Sequence, residues 1–286
     1  MADLTTVASF QRHTGMSLAD QGFKDQISSI ITGVSDEVQR HCARDFEKKE
    51  HLLWLDGTGS RLLFLPEYPI NIIYQMSINR EVGAEITFAE SLGTNANVDF
   101  DGTTLRLIDF DLTGKRNVNE VTITDAQTLT NVKTAVEAFT GWSMRIDANR
   151  LNFPSQMIRR FSGFAHGAHQ ADLVIPLDGE QSRVDVESER TVVRRDGVWP
   201  RGTDNVFFWF ESGFVLPKDD NDGDIPPGLQ MIVNQIVKDV FSASRENTVL
   251  KSERLADHAV VYDRGSITEV VQNRAKALEQ YCKVHV

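Results

Sequence analysis

The stretch from His51 to Asn79, HLLWLDGTGSRLLFLPEYPINIIYQMSIN, restricts the folds open to this chain more than any other segment. Two short apolar runs flank Asp56-Gly57-Thr58-Gly59-Ser60, and glycine takes the positive φ that a tight reversal needs, so the spacing predicts a β-hairpin. Pro66 and Pro69 cannot donate to a sheet ladder. They end the second strand and force a turn before a third extended run, Ile70 to Ile78. Gly57-Thr58-Gly59-Ser60 lacks the spacing and lysine of a phosphate-binding loop, and its flanks are strand-like, so it is a turn.

Helices are expected on either side of this strand-rich block. Thr5 or Thr6 can cap a short helix that Gly15 stops. A second helix, with Ser17 as its N-cap, carries Phe23, Ile27, Ile30, Ile31, Val34 and Val38 at three- and four-residue spacing, which makes one apolar stripe. Gly22 and Gly33 each cost such a helix about 1 kcal/mol relative to alanine, which points to an irregular start or a close neighbour. At its end Phe46 is placed to seal the junction with the sheet. Arg44 either bonds the terminal carbonyls and complements the helix dipole or is simply exposed.

Extended runs at 85–89 and 97–108, the second broken by the turn Asp101-Gly102-Thr103, predict more antiparallel sheet. A strand at 118–124, a helix at 129–139 and a strand at 142–146 make a β-α-β pattern. Runs at 171–177 and 183–187 complete an expected inserted α/β lobe, 113–189, with 1–112 and 190–286 as the core. The basic cluster Arg190, Arg194, Arg195 and Arg201 either meets phosphate or a neighbouring acidic patch, or is a solvated hairpin.

Val206 to Phe214, VFFWFESGF, leaves no polar face for a helix and must be a buried or paired strand. Pro226 and Pro227 suit the entry of a third long helix striped by Leu229, Ile232, Val233, Ile236, Val237, Val240 and Phe241. That helix is expected to pack on the stripe of Phe23 to Val38. An arm or loop follows at 248–262, and Ser266-Ile267-Thr268-Glu269 is a capping box for a last helix bearing Val270, Val271, Leu278 and Tyr281.

No motif specifies catalysis. In the acidic loop, a calcium register with Gly223 at the required glycine puts Lys218 where the first carboxylate belongs and Leu229 where the closing glutamate belongs, so it fails. His166 and His169 have neither a nearby cysteine nor the zincin glutamate. Ser212-Gly213 has Phe210 where a nucleophile elbow needs glycine. Cys42 and Cys282 are expected as reduced, buried small hydrophobes. The predictions are no enzyme activity, no cofactor and no metal, with an acidic hydrolase built on a conformational carboxylate pair as the alternative.

Charge narrows the partners. A net charge of −11 opposes tight, sequence-independent adhesion to phosphate, although it does not exclude a protein past which DNA slides. Residues 81–125 hold nine acidic and three basic groups, and residues 204–224 hold six and one, so the acidic excess falls in β or loop regions. No window offers the ~20 apolar residues of a membrane span, so no membrane association is expected.

The hairpin with Asp56, Gly57 and Gly59, the Pro69-Ile70 strand entry, Arg44 and Phe46 before it, and Ile225-Pro226-Pro227 with the later Lys251-Ser252-Glu253 segment resemble the head-tail connector (adaptor, or head-completion) proteins of long-tailed double-stranded DNA bacteriophages. The likeness covers about 3–108 and 206–286 and leaves the insert outside. It implies an α+β subunit in which a bundle of the N- and C-terminal helices packs beside an antiparallel β-sheet. Such subunits would form a ring, a dodecamer, between the portal and the tail in the virion neck, after assembly in the host cytoplasm. The ring would extend the channel for passing double-stranded DNA and dock tail or neck proteins, a tail-completion or other neck protein being the alternative.

The resemblance also assigns contacts. Tyr281, Val284 and Val286 at the C-terminal end would meet the portal protein, and Asp219, Asp220, Asp222 and Asp224 would face the lumen or a ring neighbour. The inserted lobe lies outside the likeness and is expected to point outward, toward capsid, neck fibres or tail proteins, because an extra compact lobe fits more easily outside a DNA-sized channel.

Overall fold

The computed structural model describes residues 3–16, 20–124, 127–177, 183–218, 221, 223–249 and 264–282. In chain order the helices are α1 (Val7–Thr14), α2 (Gln21–His41), α3 (Leu129–Glu137), α4 (Pro227–Val249), α5 (Arg264–Asn273) and α6 (Ala275–Leu278). The strands are β1 (Lys49–Gly57), β2 (Leu62–Phe64), β3 (Ile70–Ser77), β4 (Arg80–Phe88), β5 (Gly93–Phe100), β6 (Thr104–Asp111) and β7 (Arg116–Thr122). They continue with β8 (Trp142–Ile146), β9 (Phe161–Phe164), β10 (Ala171–Pro176), β11 (Val184–Ser188), β12 (Thr191–Arg194) and β13 (Gly202–Ser212). Among the described residues, then, six helices accompany four antiparallel sheets, a mixed composition consistent with the α+β class.

The chain divides into two compact units, one of Met1–Lys49, Phe64–Asn71 and Glu211–Val286, the other of Glu50–Leu63 and Ile72–Phe210. This division differs from the predicted 113–189 insert. Strands from that segment pair with strands that precede it: β7 with β6, β9 with β5, and both β8 and β10 with β4.

The first unit is helical because its apolar residues recur at helical spacing. Ile27, Ile30, Ile31, Val34 and Val38 of α2 share one core with Leu229, Val233, Ile236, Val237 and Val240 of α4, and with Val271 and Leu278. Thr6 caps α1 by accepting from the Ser9 N–H, and Gly15, at φ 68°, ends it in the left-handed region. Asp20 caps α2; Ser17, expected there, lies outside the described residues. Gly33 has the close neighbour its cost implies, since a Cβ there would lie 3.2 Å from Ile267 Cδ1. Pro227 opens α4, and the Pro226 carbonyl accepts from Gln230 N at 3.1 Å. Helix α5 starts at Arg264, two residues before the predicted cap Ser266, and the arm at 250–263 lies outside the described residues.

The N-terminus is tied into this unit by polar contacts. Leu4 N donates to Ser35 Oγ at 2.9 Å, and Thr5 Oγ1 donates to Asn234 Oδ1 at 2.8 Å, both buried. A buried side-chain amide left unpaired would cost about 1–3 kcal/mol, so the Thr5 hydroxyl matches Asn234 rather than merely filling space.

The second unit is built on sheets of order β1-β13-β3, β10-β4-β8, β11-β12-β2 and β7-β6-β5-β9. β5 and β6 form the predicted hairpin, pairing Phe100 with Leu105 across Asp101–Thr103. Val132 and Val136 of α3 join Val98, Leu107, Trp142 and Leu173 in one core. The β-α-β pattern does not make a parallel pair: β7 lies on β6, whereas β8 lies antiparallel on β4, in another sheet. The aromatic strand β13 is central in its sheet. Phe207, Phe208 and Phe210 are buried, and its neighbours bring Trp54 to 5.3 Å from Phe207 and Tyr74 to 5.3 Å from Trp209.

The 51–65 hairpin is a correction. β1 pairs with β13 and β2 with β12, so the two strands lie in different sheets and do not face each other as a ladder. The turn between them is held by chain far away in sequence. Gly57 N donates to Asn205 Oδ1 at 2.8 Å, Gly59 N to the Trp199 carbonyl at 3.0 Å, and Trp199 N back to Ser60 O at 2.7 Å. A Cβ on Gly57 would lie 1.6 Å from the Pro200 carbonyl oxygen. Glycine is needed here for approach by the 199–205 backbone.

Candidate functional site

Four segments that are distant in sequence meet around Arg44 in the helical unit. α2 ends at His41, Cys42 donates its N–H to the Val38 carbonyl, and Ala43 takes a positive φ of 51°, which turns Arg44 inward. The Arg44 side chain is buried. Its guanidinium lies 3.6 Å from the Tyr68 ring centroid and 4.6 Å from that of Phe46. It donates to the Tyr68 carbonyl and, at 3.4 Å, to the Tyr281 carbonyl. A guanidinium suits this place because its planar fork bonds at the edge while its faces rest on aromatic rings.

The acceptors are fixed in turn. Tyr68 Oη donates to the Cys282 carbonyl at 2.8 Å, so Arg44 and Tyr68 together hold consecutive carbonyls at the end of the last helical turn. Gly213 N donates to the Pro69 carbonyl at 3.1 Å, and Phe214 N to the Phe46 carbonyl at 2.8 Å, which brings in the segment after β13. Gly228, in the first turn of α4, leaves room for the Tyr281 hydroxyl; a Cβ there would lie 2.6 Å from that oxygen. Burial pushes the Tyr281 phenol above its ordinary pKa, so it stays neutral.

This placement corrects both readings of Arg44. It is buried, and its acceptors lie 24 and 237 residues away rather than in the last turn of α2. Phe46 is fully buried beside it, as expected. Tyr281 is half-buried and serves the junction through its main chain, while Val284 and Val286 lie outside the described residues.

Of the acidic loop, Asp219, Asp220 and Asp222 lie outside the described residues. Asp224 Oδ1 accepts from Val215 N at 2.5 Å, and Lys218 and Asn221 exchange backbone hydrogen bonds of 2.7 and 2.9 Å. The signature residues of the first turn have structural partners: Asp56 Oδ1 accepts from Asp204 N at 2.8 Å, alongside the Gly57 and Gly59 bonds above. Pro69 and Pro226 each supply a carbonyl acceptor, to Gly213 and Gln230.

Two arginines of the basic cluster, Arg194 and Arg195, are engaged locally. Arg195 Nε donates to Asp185 Oδ2 at 2.7 Å and lowers the pKa of that carboxyl, while Arg194 reaches Asp196 Oδ1 at 3.1 Å and the Val198 carbonyl at 2.8 Å. His166 Nε2 is 2.9 Å from the Gly93 carbonyl, and its ring stacks on Phe88. Among the described residues, no three His, Cys, Asp or Glu side chains gather to hold a metal ion. None of the described helices is long and apolar enough to cross a membrane.

What sequence reasoning missed is the role of Tyr68 and Cys282. Both lie beside residues already singled out, Pro69 and Tyr281, yet their contacts span 214 residues and leave no local pattern. No protein-family model matches the chain, and no curated protein compared with it matches either.

Proposed function

We propose that this protein is a structural ring component of a bacteriophage neck, placed between portal and tail, where it extends the DNA channel and offers a docking surface. The observation that carries this reading is convergence at Arg44. Segments 44–46, 68–70, 213–214 and 226–228 come together in one unit, where Arg44 and Tyr68 fix the main chain at Tyr281 and Cys282, whereas the resembling residues Asp56, Gly57 and Gly59 belong to the other unit. A subunit that docks through its C-terminal end gains from such an anchor, because an ordered base lowers the entropy lost when the end engages a partner. The net charge of −11 and the local pairing of Arg194 and Arg195 are compatible with DNA passing without adhering.

In this proposal Val284 and Val286 contact the portal, self-assembly gives a twelve-membered ring, and the acidic loop 219–224 faces the lumen or a ring neighbour. Binding of the purified chain to purified portal tests the docking. The wild type is expected to co-sediment with portal, and the pair Val284→Asp with Val286→Asp to lose binding while keeping the wild-type circular dichroism spectrum and melting temperature. Unchanged binding by that variant would remove the C-terminal assignment. Co-sedimentation with tail proteins but not portal would move the protein to a tail-completion role.

A further inference from the structure

A sheet edge offers unpaired N–H and C=O groups to any passing chain, and a charge, a proline or a short strand keeps other chains off it. Besides β1 and β3, the four sheets among the described residues end on six other strands, and all six are guarded in this way. β7 carries Arg116 and Glu120, β8 Arg145, β10 Asp172, and β11 Asp185 and Glu187, while β2 and β9 are only three and four residues long. β1 and β3 are the exceptions. They are the outer strands on either side of β13, and among the described residues neither pairs with a second strand. Between Glu50 and Asp56, β1 reads HLLWL, and β3 reads INIIYQMS, with no carboxylate, lysine, arginine or proline in either run.

The two edges also match in side chains and polarity. Trp54 meets Phe207 and Tyr74 meets Trp209, and alternation puts residues 207 and 209 on one face, so Leu52, Trp54, Ile72 and Tyr74 share that face. Leu52, Trp54 and Tyr74 are half-buried and Ile72 is 47% exposed, whereas Phe207 is fully buried. Both strands run antiparallel to β13 and so parallel to each other. Rotation from one copy to the next preserves that polarity. We propose that β1 of one copy pairs with β3 of the next, so that the β1-β13-β3 sheet continues from subunit to subunit and the apolar face with it. A second copy is the occupant because the bare edges are complementary: one repeated contact covers both, whereas a foreign strand on either edge leaves the other open. Such a head-to-tail contact closes into a ring or grows open-ended. Its closure here rests on the ring reading above.

The test is sedimentation velocity of the full-length wild type and of two edge variants, Leu52→Asp on β1 and Ile72→Asp on β3. The wild type is expected to sediment as an oligomer and each variant alone as a monomer. Mixed in equal amounts, the variants should form a dimer and nothing larger, because each supplies the one edge the other lacks. A wild type that stays monomeric at every concentration, variants that assemble like the wild type, or variants that ignore each other when mixed would overturn the edge contact. Assembly unaffected by the variants would leave the ring reading standing on another surface, whereas paired edges with undecorated portal would remove the ring reading alone. Should a variant lose the wild-type circular dichroism spectrum, amide exchange in the wild type decides. Exchange in 50–57 and 72–77 should slow in the oligomer relative to dilute monomer, and equal rates would overturn the proposal.

Discussion

The Arg44 guanidinium rests on the Tyr68 ring, 3.6 Å from its centroid, and donates to the carbonyl of that same residue. One side chain thus grips both the ring and the main chain immediately before Pro69, and through its second bond reaches Tyr281. If this contact organises the helical unit, Arg44→Ala should cost about 3 kcal/mol, combining lost charged hydrogen bonds, lost stacking and stranded carbonyls. Arg44→Lys should recover less than half, since an ammonium has no planar face to stack. Urea unfolding checks both, and a loss below 1 kcal/mol for the alanine variant would make the junction incidental.

Gly57→Ala is expected to destabilise by more than about 2 kcal/mol, because its Cβ would lie 1.6 Å from the Pro200 carbonyl oxygen and backbone must move. Gly114→Ala is the control. Nothing lies within 4 Å of its Cβ, and only the strain of φ +84° remains, about 1 kcal/mol. Thermal melts of the two variants should differ in that order.

Thr5→Val keeps the shape of the side chain but removes the donor to Asn234, and should cost about 1–3 kcal/mol. Adding Asn234→Leu should recover part of that loss, since the stranded amide is then gone. A double-mutant cycle measures the coupling, and strictly additive losses would contradict the pairing.

At the β5–β6 turn, the Asp101 carboxylate accepts from the Thr104 and Thr103 N–H groups, and these bonds hold its pKa far below the ordinary 3.8. A folded pKa below the unfolded value means the carboxylate's stabilisation is present in full above that unfolded value. It is lost as pH falls toward the folded one. Carbon-detected NMR should find Asp101 ionised at pH 3, where an unperturbed aspartate is mostly protonated. A midpoint near 3.8 would show that the turn does not form as described.

Local pattern carried much of this fold. The stripes of α2 and α4 repeat over many turns, Thr6 and Gly15 bound α1 by their own chemistry, and Asp101–Thr103 closes a hairpin between neighbouring strands. Pairing over long sequence separations was not legible. Gly57 looks like a residue of a two-strand turn, yet its partner Asn205 is 148 residues away, and nothing near Trp142 shows that β8 will pair with β4 rather than stand beside β7. The junction was half visible: Arg44 and Phe46 stood out, whereas the acceptors at Tyr68 and Tyr281 could be found only once the chain had closed.

An electron-microscopy reconstruction of the protein bound to its portal tests the ring proposal most directly. The account predicts a twelve-membered ring coaxial with the portal, with the C-terminal end carrying Val284 and Val286 against it and an open channel wide enough for double-stranded DNA. A monomer that leaves portal particles undecorated, or copies bound away from the axis, would contradict it.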